Sequence, residues 1–141
     1  MTKKNTDDLR KELAEAPNLG GFLATNQEQF VSGDFAGMFQ ELFAKSGMTK
    51  AALAKKAGCS EVYIYQLFSG QRRPSRNRII CLCLGLDATL EETQELLKRS
   101  GLAELYVKNR RDAIIMYGMT HQQELSEIND KLYAEGEETL C

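Results

Sequence analysis

Four arginines fall within seven residues, at Arg72, Arg73, Arg76 and Arg78. Guanidinium groups gathered this closely suit the bidentate binding of phosphate or carboxylate oxygens. They end a longer cationic stretch. Residues 45–86 also hold Lys45, Lys50, Lys55 and Lys56 against a single acid, Glu61, for a net of +7. The flanks are acidic, −3 over residues 1–44 and −6 over 87–141, so the overall −2 conceals a basic middle. A solvated surface does not easily concentrate arginine in this way, whereas a module that faces phosphate does.

Other chemistry is poorly provided for. His121 is the only histidine and reads as an exposed residue near a helix start, so a Cys–His or Ser–His site would have to be built on it, and there is no nucleophile elbow. Glu91, Glu92, Glu95, Glu127 and Asp130 lie at the spacing of helix surfaces. Cys59, Cys81, Cys83 and Cys141 lack paired Cys-x-x-Cys spacing, and Cys81 and Cys83 point about 200° apart on a helix, poor geometry for one metal ion. They read as small buried or half-buried thiols outside any disulfide framework. With no glycine-rich phosphate loop either, the chain is expected to bind rather than to catalyse, without cofactor or metal.

The elements that must position the arginines are helical. The chain has 141 residues, 43% hydrophobic and 27% charged, a globular composition, and only Pro17 and Pro74 interrupt it. Ala, Leu, Glu and Lys are plentiful and Val is scarce, which predicts an all-α fold. No apolar run long enough for a signal peptide or membrane helix occurs, and a cytoplasmic location is expected. In the middle segment Phe35, Met38, Phe39, Leu42 and Phe43 predict a helix from Asp34 to Lys45, stopped at Gly47. Thr49 caps a second, Lys50–Ala57, ended by Gly58. Ser60 caps a third, Glu61–Phe68, closed by Gly70. A fourth runs Ser75–Leu84, and a fifth follows Asp87.

Two helices joined by three or four residues cross at about 90–120°. Small Ala54 allows their approach, and Ile64 packs against it. Together Thr49-Lys-Ala-Ala-Leu-Ala-Lys-Lys-Ala-Gly-Cys-Ser, Ile64, Leu67-Phe-Ser-Gly and Arg73-Pro-Ser resemble the five-helix domain of the phage-repressor (Cro/C1, XRE-like) helix-turn-helix family. The resemblance covers about a third of the chain. It implies a DNA-binding regulator of double-stranded DNA whose third helix, about 61–68, enters the major groove. Glu61, Val62, Tyr63, Tyr65 and Gln66 then become the candidates for base edges, with Ile64 and Leu67 inward. Thr49, Lys50, Ser60, Ser69, Gln71, Arg72, Arg73 and Arg76 become the candidates for phosphate, and Arg78 is open to pairing within the domain. Glu61 departs from the neutral residue that many relatives place there, and the groove face carries no lysine or arginine. A protein-interaction adaptor that reuses the fold is therefore the alternative.

The organisation read from sequence is an acidic extension (1–33), the helix-turn-helix domain (34–100) and a C-terminal helical hairpin (101–141). The extension is expected to form helices over Thr6–Glu15 and Thr25–Val31, broken between them by Pro17, Gly20 and Gly21. The hairpin echoes what precedes it. Arg76–Leu86 parallels Asn109–Met119 at an offset of 33, and Leu90–Leu97 parallels Leu125–Leu132 at 35. Each copy reads as a helix ending at glycine, a turn capped by Thr89 or Thr120, and a second helix. Ile114, Ile115, Leu125, Ile128 and Leu132 offer surface for homodimerisation as readily as for packing within the chain. Lys108-Asn-Arg-Arg forms a second basic spot.

Overall fold

Side-chain caps fix where the helices begin. Asn5, Asn18, Thr49, Ser60, Ser75, Thr89 and Asn109 each accept the backbone N–H three residues on, meeting a donor that the first turn leaves without a partner. The computed structural model describes residues 4–26 and 35–141, and among these every element is helical: α1 (Thr6–Glu15), α2 (Leu19–Thr25), α3 (Phe35–Ser46), α4 (Lys50–Ala57), α5 (Glu61–Ser69), α6 (Arg76–Gly85), α7 (Leu90–Arg99), α8 (Arg110–Thr120) and α9 (Leu125–Ala134). None is long and apolar enough to cross a membrane. The all-α expectation holds, and within the segment 45–86 each start falls within one residue of its expected place.

The chain divides into two units, residues 1–32 and 33–141. In the first, α1 has no buried residue and α2 buries Phe22. Asn26 is buried and ties the two helices, donating to Glu12 at 3.1 Å and accepting from Lys4 at 2.6 Å. The helix expected over Thr25–Val31 lies mostly in 27–34, outside the described residues. What the structure describes instead is α2 over Gly20 and Gly21, which were expected to break the chain. Each glycine costs a helix about 1 kcal/mol. The Asn18 cap, which accepts the Gly21 N–H at 2.6 Å, and the burial of Phe22 offset that cost.

The second unit is built on one core shared by α3 to α9. Phe39 of α3 stacks on Phe35, with ring centroids 5.0 Å apart, and meets Phe68 of α5 at the same separation. Leu53 and Ala57 of α4, Ile64 and Leu67 of α5, and Ile79 to Cys83 of α6 are all buried. α4 crosses α6 closely, because a Cβ on Gly85 would stand only 3.2 Å from the Ala57 backbone. Ile115, Leu125, Ile128 and Leu132 of α8 and α9 join the same core, so the hairpin packs on the helix-turn-helix unit.

The echo between the hairpins is a structural repeat, offset by 35 through the turns and second helices and by 34 at the caps of the leading helices. The Ala88 N–H donates to Cys83 O and the Gln123 N–H to Gly118 O, at 2.9 and 2.8 Å. Leu102 to Leu97 and Glu137 to Leu132 repeat the same closure at the second helix of each pair. Asp87 and Gln122 take matching positive φ, 55° and 52°, in the two turns. The expected offset of 33 for the leading helices is therefore wrong. It aligned Asn109 with Arg76, whereas Asn109 is the cap of α8 and corresponds to Ser75. Nor does Thr120 cap a helix. It ends α8, with its hydroxyl donating to Met116 O at 3.0 Å, and the position of Thr89 is taken by Glu124, whose N–H donates to the Glu127 carboxylate. α8 likewise runs on past Gly118.

Gly118 has a reason of its own. A Cβ there would lie 2.4 Å from Cγ1 of Ile128 and 2.6 Å from Cδ1. Gly118→Ala should therefore force α8 and α9 apart and lower stability by about 1–3 kcal/mol, read as a lower urea midpoint. An unchanged midpoint would show that the hairpin is not closely packed.

Candidate nucleic-acid interface

The α4–α5 pair is set by local chemistry. Gly58 stands at φ 68°, a conformation that a side chain disfavours, and its N–H closes on Lys55 O. Two residues on, Ser60 starts α5 by accepting the Tyr63 N–H at 3.1 Å. Ile64 and Leu67 then face inward, 0% and 1% exposed, as expected. On the outer side Glu61, Val62 and Tyr65 are exposed while Tyr63 and Gln66 are half-buried. Val62 is 65% and Tyr65 53% exposed, so this ridge is not covered within the unit.

The ridge is bordered by cations held on its own side chains. Lys50 Nζ lies 4.7 Å from the Tyr65 ring centroid and 4.8 Å from that of Phe68. The Arg72 Nε–H donates to Gln66 Oε1 at 3.0 Å. Arg73 and Lys55 are exposed and make no ion pair or hydrogen bond with the described residues. Gln71 is exposed, and the Ser69 hydroxyl donates to Gln66 O. The Thr49 and Ser60 hydroxyl oxygens serve as caps, yet each retains its O–H for an outside acceptor. Glu61 sits in the first turn of α5, where the helix dipole favours an anion. Tyr63 combines the two readings open to it. It packs on the core and carries Arg78 over its ring, 5.2 Å from the centroid, and burial raises its phenol above the usual range.

Arg76 does not belong with this group. Its Nε–H donates to Ala103 O at 2.8 Å, and its terminal nitrogens bind both carboxylate oxygens of Asp112, at 3.2 and 2.9 Å, and Glu104 O. The guanidinium holds together the start of α6, the loop before α8 and α8 itself. It is therefore removed from the phosphate candidates. In the second basic spot Lys108 stays exposed, while both arginines have partners within the chain. Arg110 pairs with Glu135 and Glu137, Arg111 donates to Glu138 O and Asn77, and Asn109 caps α8. Lys45 and Lys56 are paired with Glu92 and Asp87. Sequence reasoning missed Lys55 as an open cation, and nothing in its local sequence separates it from paired Lys56.

Arg76→Ala would leave Asp112 buried without its counter-ion, which should cost about 3 kcal/mol. Arg73→Ala should shift stability by no more than about 0.5 kcal/mol. Parallel urea melts distinguish the two, and equal losses would contradict this division.

In comparison with known proteins, a family model described as a helix-turn-helix domain matches residues 33–96, a little under half of the chain. No curated protein and no solved structure matches the chain. The matched stretch spans α3 to α7 and ends inside α7, leaving α8 and α9 outside it. Helix-turn-helix domains are in general the working part of DNA-binding regulators. With its helices, caps and glycines in that order, this chain carries a helix-turn-helix domain over residues 33–96, consistent with the phage-repressor, XRE-like kind that its sequence resembles.

Proposed function

We propose that the chain is a sequence-specific DNA-binding transcriptional regulator that lays α5 in the major groove of double-stranded DNA. The observation that carries this reading is the open α5 ridge bordered by Lys50, Arg72 and Arg73. In this reading Gln66 pairs with adenine through its amide, Val62 meets a thymine methyl, and Glu61 accepts from cytosine N4. Tyr65 reaches the sugar edge or a phosphate. Lys50, Lys55, Arg72 and Arg73, with the Thr49, Ser60 and Ser69 hydroxyls and Gln71, hold the backbone without choosing the sequence. Arg72 links the two tasks, because it contacts Gln66 directly. The role of the chain is binding alone, with no catalytic step.

A protein-interaction adaptor is the second reading. What favours it is the exposed Val62 and Tyr65 beside acidic Glu61, a mixture also found at protein interfaces. Selection from random duplexes separates the two. The regulator enriches one sequence, a palindromic one if two copies act together, and the adaptor enriches none.

The arginine contribution has its own signature. Replacing Arg72 and Arg73 by Ala should weaken binding to every sequence alike. Each phosphate that is no longer neutralised should reduce the slope of log K against log salt by about 0.9. Anisotropy titrations at several salt concentrations measure this, and an unaltered slope would take both arginines out of the interface. Gln66→Ala should instead relax preference at one base pair, by roughly 1–3 kcal/mol.

A further inference from the structure

The segment after α9 reaches the helix-turn-helix turn and is fastened there by two side chains of the C-terminal hairpin. Leu140 is 4% exposed and lies in the shared core. Its N–H donates to Asn129 Oδ1 of α9 at 2.7 Å, and Asn129 Nδ2 donates to the Cys141 sulfur at 3.3 Å. Arg111 of α8 donates to Glu138 O at 2.7 Å and to Thr139 O at 3.2 Å, and also reaches Asn77 of α6. What the fastened segment meets is Gly58. The point a Cβ on Gly58 would occupy is 3.1 Å from Leu125 Cδ2 and 3.5 Å from the Cys141 sulfur.

The same fastening occurs once before, 35 residues earlier. Gln94 accepts the Leu105 N–H at 2.7 Å and donates to Leu105 O at 2.8 Å, and Leu105 is likewise 4% exposed. The residue after Leu105 turns to the neighbouring hairpin, where the Tyr106 N–H donates to buried Asp112 at 2.9 Å. The residue after Leu140 turns to Gly58 instead. The first copy thus joins hairpin to hairpin, and the second joins the hairpin to the turn that leads into α5.

We propose that Asn129 and Arg111 are positioning residues for α5, holding the 137–141 segment as a strap against the helix-turn-helix turn. Glycine has more backbone freedom than any other residue, so Gly58, at φ 68°, needs outside contacts to keep one conformation. Ser60, the cap of α5, stands two residues on, and Glu61 and Val62 follow in the first turn. A shift at Gly58 is carried straight to them. Resting on the reading that α5 enters the major groove, the strap then governs how well the base-edge residues are placed. A turn already held in one conformation needs no ordering when DNA binds, and a released one does. Arg72 and Arg73 lie beyond the other end of α5, so the hold on phosphate depends little on the strap.

The test uses the full chain and amide hydrogen exchange. The Cys59 N–H is bonded to Ala54 O in the turn, and the Leu140 N–H to Asn129. Asn129→Ala and Arg111→Ala should each speed exchange at both amides about five- to tenfold. Exchange at Phe39 and Leu42 in α3 should stay as it is. Asn129→Asp keeps the acceptor for the Leu140 N–H and should restore slow exchange. The second readout is a duplex selected by the wild-type chain, titrated beside a random duplex. Asn129→Ala should lower the preference for the selected duplex about tenfold, as one mismatched base pair does, with the salt dependence unaltered. Exchange in the turn as slow as in the wild type, or raised equally in α3, would overturn the strap. Faster exchange in the turn with an unchanged preference would overturn the positioning role. If the wild-type chain selects no duplex, the DNA reading is what fails, and exchange in the turn still decides the strap.

Discussion

Where α4 crosses α6 there is no room for a side chain on Gly85. A Cβ at that position would sit 3.0 Å from Leu53 Cδ1 and 3.2 Å from both the Ala57 Cβ and its backbone nitrogen. This close approach brings the short face of α4, Ala54 and Ala57, against the apolar run of α6, Ile79 to Cys83. α5 buries Ile64 and Leu67 in the same core, packed against α4 and, through Phe68, against Phe39 of α3. Its other side is left to solvent as a consequence. The orientation of the ridge is thus decided at a contact that makes no use of the ridge residues themselves. Dense packing transmits position in this way because an interior has no spare volume in which to adjust.

The cations of the basic segment are divided by the same frame. Those that reach a carboxylate of α7 or α8, or of the turn between α6 and α7, are used up within the protein. Arg76 is the clearest case, since Asp112 has only 7% of its side chain exposed and a carboxylate in that position requires a partner. Lys45 and Lys56 make exposed pairs that contribute little to stability but cancel charge locally. Lys50 at the start of α4, and Arg72 and Arg73 in the loop after α5, make no ion pair among the described residues. Net charge counted along a sequence therefore overstates the free positive charge. Structure removes part of it and leaves the remainder on α4 and the loop after α5.

Much of this was legible because helix starts and stops are written in neighbouring residues. A Thr or Ser cap and a glycine in the left-handed region act over three or four positions, so α4 and α5 could be bounded, their buried residues named, and the ridge placed on the right side. What could not be read was set by partners far along the chain. Arg76 binds a carboxylate 36 residues away, and Arg110 and Arg111 fold onto positions 25 and 27 residues away. An arginine beside a basic loop looks the same whether it faces phosphate or Asp112. Thr120 misled for a related reason, because a hydroxyl that bonds back along its own helix resembles a cap in sequence.

The repeated hairpin explains how an acidic chain can present a basic ridge. α8 and α9 cannot bury Ile115, Ile128 and Leu132 alone, and they do so on the core that supports α4 to α7. In that position three acids of the C-terminal third are committed close at hand. Glu135 and Glu137 hold Arg110, while Asp112 holds Arg76. Charges in water are screened over about 8 Å at physiological ionic strength. Acids committed in this way beyond that distance do little to the potential over α5, whatever they do to the sum for the whole chain. The formal −2 and a basic surface beside α5 are compatible because attraction at a surface is decided by the charges within one screening length of it.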